Sequence, residues 1–90
     1  MFNNSPWGSN MTNNILRLPA VIRQRGRSRS AHYLDIKQGL FTRPVAIGLR
    51  AVGWPADEVT ALNAARIAGK TDDEIRGLVL KLEAARKAAT

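Results

Sequence analysis

From residue 15 onward the apolar positions fall into helical stripes interrupted by one extended stretch. The first stripe is Leu18, Val21 and Ile22, the spacing of a single helix face. Pro19 suits an opening turn, where its missing N–H costs nothing. Gly26 supplies a left-handed stop. A helix of barely two turns depends on tertiary packing for its stability. Ser28 is placed to cap a second helix, running from about Arg29 to Gln38, with Gly39 ending it. Only Gly26 and Arg27 separate the two, so the pair predicts a helix-turn-helix.

The period then changes. Pro44–Gly48 and Ala51–Trp54 are short apolar runs rich in β-branched residues, flanking Leu49 and Arg50. They predict a small two-stranded hairpin with an arginine at its tip. A lone hairpin is unstable in water, so Ile47 and Trp54 are expected to lean it on the helices. Pro55 is expected to start a third helix, with Asp57 and Glu58 in the first turn and Gly69 closing it. Thr71-Asp72-Asp73-Glu74 has the spacing of a capping box. Behind it Ile75, Leu78, Val79, Leu82 and Ala85 mark one face of a fourth helix. The expected organisation is a disordered Asn- and Ser-rich tail over 1–14, a helix-turn-helix domain with its hairpin over 15–69 and an amphipathic C-terminal helix over 70–90. In the tail Trp7 and Phe2 could anchor a partner, and Met11 is a second candidate start. The C-terminal helix either completes the core or contacts a neighbouring protomer, a form of self-association.

Charge changes the picture once it is located. The chain has 90 residues and a formal charge of +7. Residues 1–50 carry eight Lys and Arg against Asp35 alone, whereas residues 51–90 are balanced at six of each sign. The excess thus sits on the predicted helix-turn-helix and hairpin. Clustered cations favour a polyanion, because phosphate contacts release counterions; a solvated basic surface is the alternative. The basic stretch is not one long amphipathic helix, which argues against a membrane surface.

Other chemistry is thinly supplied. There is no cysteine and a single histidine, His32, so no metal-ligand spacing arises and no metal or other cofactor is expected. No phosphate loop of the Walker type and no nucleophile elbow occurs. The chain is expected not to be an enzyme. With no long apolar run and no signal-peptide pattern, it is expected in the cytoplasm, with the nucleoid.

The basic residues are better placed. Arg27, Ser28, Arg29 and Ser30 gather at the start of the second helix, the end that meets base edges and phosphates when such a helix enters the major groove. Tyr33 and Lys37 lie four apart and extend the same face. Arg50 suits an adjacent minor groove. Arg23 and Arg25 are expected to clamp backbone phosphates, and Arg43 is counted with the DNA-binding set.

Leu16–Val21, Gly26-Arg27-Ser28-Arg29-Ser30, Tyr33, Ile36–Gly39 and Phe41 stand in a recognisable order, followed by Pro44–Trp54 and Glu58-Val59. Over roughly residues 15–67 the chain resembles the AlpA-like family of phage and integrative-element regulators, related to excisionases. The resemblance implies a mainly α fold with a small β-hairpin, a winged helix-turn-helix of the MerR type plus C-terminal helices. It makes Arg29–Gln38 the recognition helix and Pro44–Trp54 the wing. It implies an excisionase, or recombination directionality factor, that binds attachment-site DNA cooperatively and helps a tyrosine integrase excise a mobile element. The alternative is transcriptional regulation of the element's genes; a protein-binding adaptor is a third reading. The family usually has Leu or Ile where His32 stands, a basic residue at Leu34 and an apolar one at Asp35. Losing a cation at Leu34 and gaining Asp35 shifts the expected readout toward DNA shape and backbone. His32 is expected to be a hydrogen-bonded, half-core residue rather than a DNA contact.

Overall fold

The computed structural model describes residues 14–88. The elements in chain order are β1 (Ile15–Leu16), α1 (Leu18–Arg25), α2 (Arg29–Lys37), β2 (Val45–Ala46), β3 (Val52–Pro55), α3 (Ala56–Ile67) and α4 (Asp72–Ala88). The architecture is a winged helix-turn-helix followed by two further helices. The Asn-rich leader, with Phe2, Trp7 and Met11, lies outside the described residues.

Each helix boundary has a local cause. Arg17 is the N-cap of α1, its carbonyl accepting from the amides of Ala20 and Val21, both at 3.1 Å, while Pro19 occupies the first turn. Gly26 adopts φ 68°. The amide of Gly26 then donates to the Arg23 carbonyl at 3.3 Å and that of Arg27 to the Ile22 carbonyl at 3.1 Å. This paired closure satisfies carbonyls that the last turn leaves open. It turns the chain directly into α2, whose Ser28 hydroxyl accepts from the Ala31 amide at 3.2 Å. At α4 the capping box is reciprocal: the Thr71 amide donates to Glu74 at 2.8 Å and the Glu74 amide to the Thr71 hydroxyl at 3.2 Å.

The wing differs from the expected hairpin in extent and in strand count. Its strands are shorter, with Val45 opposite Gly53 and Ala46 opposite Val52. A further strand, β1, pairs antiparallel to the other edge of β3, with Leu16 opposite Trp54 and Ile15 opposite Pro55. The sheet order is therefore β1-β3-β2. Gly53 is a condition of this crossing: a Cβ there would stand 2.5 Å from Ile15 Cγ2 and 2.8 Å from the Leu16 carbonyl oxygen. Pro55 belongs to β3 and caps α3, which starts one residue later than expected. The second helix likewise stops at Lys37, with Gln38 as its cap.

The core joins α1, α3 and α4 to the wing, and half-buried Ile36 of α2 packs against it. Leu18 and Val21 of α1, Leu40 and Phe41, Trp54 of β3, Val59, Leu62 and Ala65 of α3, and Ile75 and Val79 of α4 form one buried cluster. Trp54 is fully enclosed and anchors the wing, its Nε1–H donating to the Thr42 carbonyl at 2.8 Å. Ile47 does not share that task. It is 40% exposed, because β2 ends at Ala46 and carries it beyond the reach of the helices. On α4, Ile75 and Val79 are buried and Leu78 and Leu82 pack at the margin, whereas Ala85 faces solvent. The far end of α4 is tied down by Arg86, which makes a two-pronged contact with buried Glu58 of α3 at 2.7 and 2.8 Å and donates to the Arg43 carbonyl at 2.7 Å.

Candidate nucleic-acid interface

The two sides of α2 have different work. Its inward side carries His32 and Asp35, both buried, with Ile36 half-buried; its outward side carries Arg29, Ser30, Tyr33, Leu34 and Lys37, all exposed. At 3.6 residues per turn these five positions form one continuous strip. Arg29, Ser30, Tyr33 and Lys37 are thus gathered on the exterior of the helix that follows the turn. Leu34, where the sequence suggested a lost cation, is exposed along one edge of that strip.

Of the arginines expected near DNA, Arg25 is turned inward. Its side chain is only 5% exposed and meets Asp35, Nη2 to Oδ2, at 2.7 Å. Its other terminal nitrogen donates to His32 Nδ1 at 2.7 Å, and its guanidinium lies 4.1 Å over the Phe41 ring. Occupied on three sides, Arg25 acts on α2 from beneath rather than as the exposed phosphate clamp expected of it. Arg27 closes on the same carboxylate with Nη2 at 2.8 Å and Nε at 3.1 Å, leaving its side chain 42% exposed. Asp35 is therefore not a negative charge facing a duplex. Burial alone would raise its carboxyl, but the hydrogen bonds and charges of Arg25 and Arg27 hold it below the usual carboxylate range. The helical spacing of Asp35 with His32 and Ile36 was the signal that it points inward.

His32 is a core residue. It is fully buried, edge-on to Trp54 at 4.8 Å and to Phe41 at 5.0 Å. Arginine can only donate, so Nδ1 accepts and Nε2 carries the proton, with no oxygen or nitrogen partner. Burial, reinforced by the Arg25 charge, pushes the imidazole down to about 4. Trp54 also lies 6.4 Å from the Tyr33 ring. The wing is thus rooted in ring contacts with the helix that bears the exposed strip.

The remaining cations separate by surroundings. The side chains of Arg23, Arg29, Lys37 and Arg50 make no hydrogen bond or ion pair among the described residues, and all four residues are exposed. Arg43 instead engages α4: its amide donates to Glu83 at 2.8 Å and its Nη2 meets the same carboxylate at 3.2 Å, although the side chain remains 76% exposed. It lines a shallow groove with Ile36, Phe41, Val79 and Leu80, and its side chain is paired with α4 rather than with the α2 strip. Ser28 is engaged as the α2 cap. Arg17, which the sequence contributed only to the charge count, donates from Nε to the Val52 carbonyl at 3.1 Å and so stands beside the wing. Among the described residues no group of three or more His, Asp or Glu stands close enough to hold a metal ion. No described helix is long and apolar enough to cross a membrane.

The model of the prophage CP4-57 regulatory protein (AlpA) family matches residues 14–67, from β1 to the end of α3. The chain belongs to the AlpA family. That family is one of phage regulatory, DNA-binding proteins. The AlpA-like chain is also 46% identical over 56 residues to the uncharacterized protein ORF88 of Enterobacteria phage P4, an alignment spanning 62% of this chain and 64% of the phage protein. The chain thus matches less than two thirds of that relative's length. No solved structure matches it.

Proposed function

We propose that this AlpA-family protein binds the duplex DNA of a mobile element through the outward strip of α2 and the wing. In this reading it serves as an excisionase, binding attachment-site DNA in adjacent copies and directing a tyrosine integrase toward excision. The observation that carries the proposal is the strip itself: Arg29, Ser30, Tyr33 and Lys37 share one exposed helix face, with both cations unpaired among the described residues. Arg29 and Ser30 lie in the first turn, where base edges and phosphates are met. Arg23, Arg27 and Arg50 supply backbone and minor-groove contacts around it, with Ser28 fixing the start of the helix. A strip this small favours modest affinity per copy, which neighbouring copies along the DNA would raise. A DNA-directed role places the protein in the cytoplasm with the nucleoid.

A second reading has its own support. The matched family is described as regulatory, which favours control of the element's promoters by the same surface. Binding to attachment-site and promoter duplexes across a salt series, followed by an excision assay with the element's integrase, tests both. The excisionase reading expects steeply salt-dependent binding to the attachment site and faster excision. Promoter binding that changes transcription and leaves excision unaltered would favour the regulator. Weak binding at low salt without a salt dependence would overturn any role on DNA.

A further inference from the structure

The tip of the wing is apolar and stiffly mounted. Leu49 is 99% exposed, and Ile47 and Val52 on its flanks are 40% and 36% exposed. The Ile47 amide donates to the Ala51 carbonyl at 2.9 Å, closing Gly48-Leu49-Arg50 into a compact tip. Below it, β3 is locked by Trp54 bonding to Thr42, by β1 crossing Gly53, and by Arg17 holding the Val52 carbonyl. A leucine held clear of its own protein on a braced stem is shaped to enter something.

We propose that Leu49 is a wedge that inserts between base pairs in the minor groove and kinks the duplex, with Arg50 holding the adjoining groove. The inference rests on the DNA-binding reading above and adds a deforming residue to it. Apolar side chains used in this way part a base step, and the bend gained brings more protein surface onto the DNA. Charge selects DNA over a protein as the occupant. From residue 36 to residue 56 the sequence holds Lys37, Arg43 and Arg50 and no Asp or Glu. Arg50 at the tip is unpaired among the described residues, and Arg17 adds a further cation at the stem. An arginine beside an inserted wedge also suits the concentrated negative potential of a narrow minor groove.

The test compares the wild type with Leu49→Ala, Leu49→Met and Arg50→Ala on a short A/T-rich duplex with one central TA step. The duplex carries dyes at its ends to report bending and 2-aminopurine at the step to report unstacking. The wild type should bend it by roughly 20–90° and brighten the 2-aminopurine. Leu49→Ala should still bind with the same salt dependence and melt at the same temperature, yet lose most of the bend and the fluorescence rise. Leu49→Met should keep both, and Arg50→Ala should lower affinity and the salt slope. The proposal is overturned if Leu49→Ala bends and unstacks like the wild type. It is equally overturned if that variant loses association with the integrase or a second copy while the bend persists. A wild type that binds with a steep salt dependence but leaves the DNA straight sinks the wedge and spares the parent reading. A wild type that fails to bind duplex DNA sinks both.

Discussion

The Asp35 carboxylate and the Arg25 guanidinium meet at 2.7 Å beneath α2, joining the last residue of α1 to the last turn of the helix that bears the exposed strip. Both side chains are nearly inaccessible, at 6% and 5%, so neither charge is relieved by water. Such a pair fixes how two helices cross, since rotating α2 would strand a charge in the core.

Removing one partner should therefore be costly. Asp35→Ala leaves Arg25 buried beside His32 and is expected to lower stability by about 3–5 kcal/mol. The double variant Arg25→Met with Asp35→Leu should be less destabilised than the sum of its single changes. Urea denaturation of the wild type, Arg25→Met, Asp35→Leu and the double variant gives the coupling, and simple additivity would refute a shared bolt.

His32 should leave a signature in acid. Its side chain is held neutral down to about pH 4 in the folded protein, against about 6.5 for an unfolded histidine. As pH falls from about 6.5 to about 4, the unfolded chain gains a proton that the folded one refuses, and stability drops by about 3 kcal/mol. Above that window the group contributes no pH dependence. Asp35 and Glu83, both held low, lose their contributions at lower pH. Urea midpoints between pH 7 and 4.5 should decline for the wild type and stay nearly level for His32→Leu. Parallel declines would discount the histidine.

On the outer side of α2 the expected effects are on binding alone. Arg29→Ala and Lys37→Ala should each weaken duplex binding and reduce the salt slope by about 1. Neither should change the melting temperature, because neither side chain has a partner among the described residues. A loss of stability in either variant would show that the side chain supports the fold instead.

Gly53→Ala probes the β1–β3 crossing. The added methyl would collide with Ile15 and with the Leu16 backbone, and overpacking of this kind costs about 1–3 kcal/mol. Faster hydrogen exchange at the Ala56 amide, which donates to the Asn14 carbonyl at 2.8 Å, should accompany the loss. Unchanged exchange there would mean that β1 tolerates the intrusion.

What was legible in the sequence was whatever the chain encodes locally. Pro19 and Gly26, Ser28 and Gly39, and Thr71 with Glu74 mark helix ends through their own backbone chemistry, so four helices could be placed to within a residue or two. β1 could not be read, because Ile15-Leu16 alone has no period and becomes a strand only through pairing with β3. Ile47 misled because apolar character in a short run does not reveal where pairing stops. Among the candidate contacts, the shared exposed face of Arg29, Ser30, Tyr33 and Lys37 was legible from helical spacing. Arg25 was not, since only the fold brings it to Asp35 ten residues on. Counting cations treats every arginine as a surface charge, and Arg25 is where that assumption fails.

The split between the two sides of α2 bears on how such a protein diversifies. Residues 32, 35 and 36 are committed to the interior, while 29, 30, 33, 34 and 37 are not. Any of those five can be exchanged with little disturbance to the crossing angle or the hydrophobic centre. On the DNA-binding reading proposed above, one scaffold can accordingly be readdressed to new DNA sites by a handful of changes, a useful freedom for a phage-family regulator.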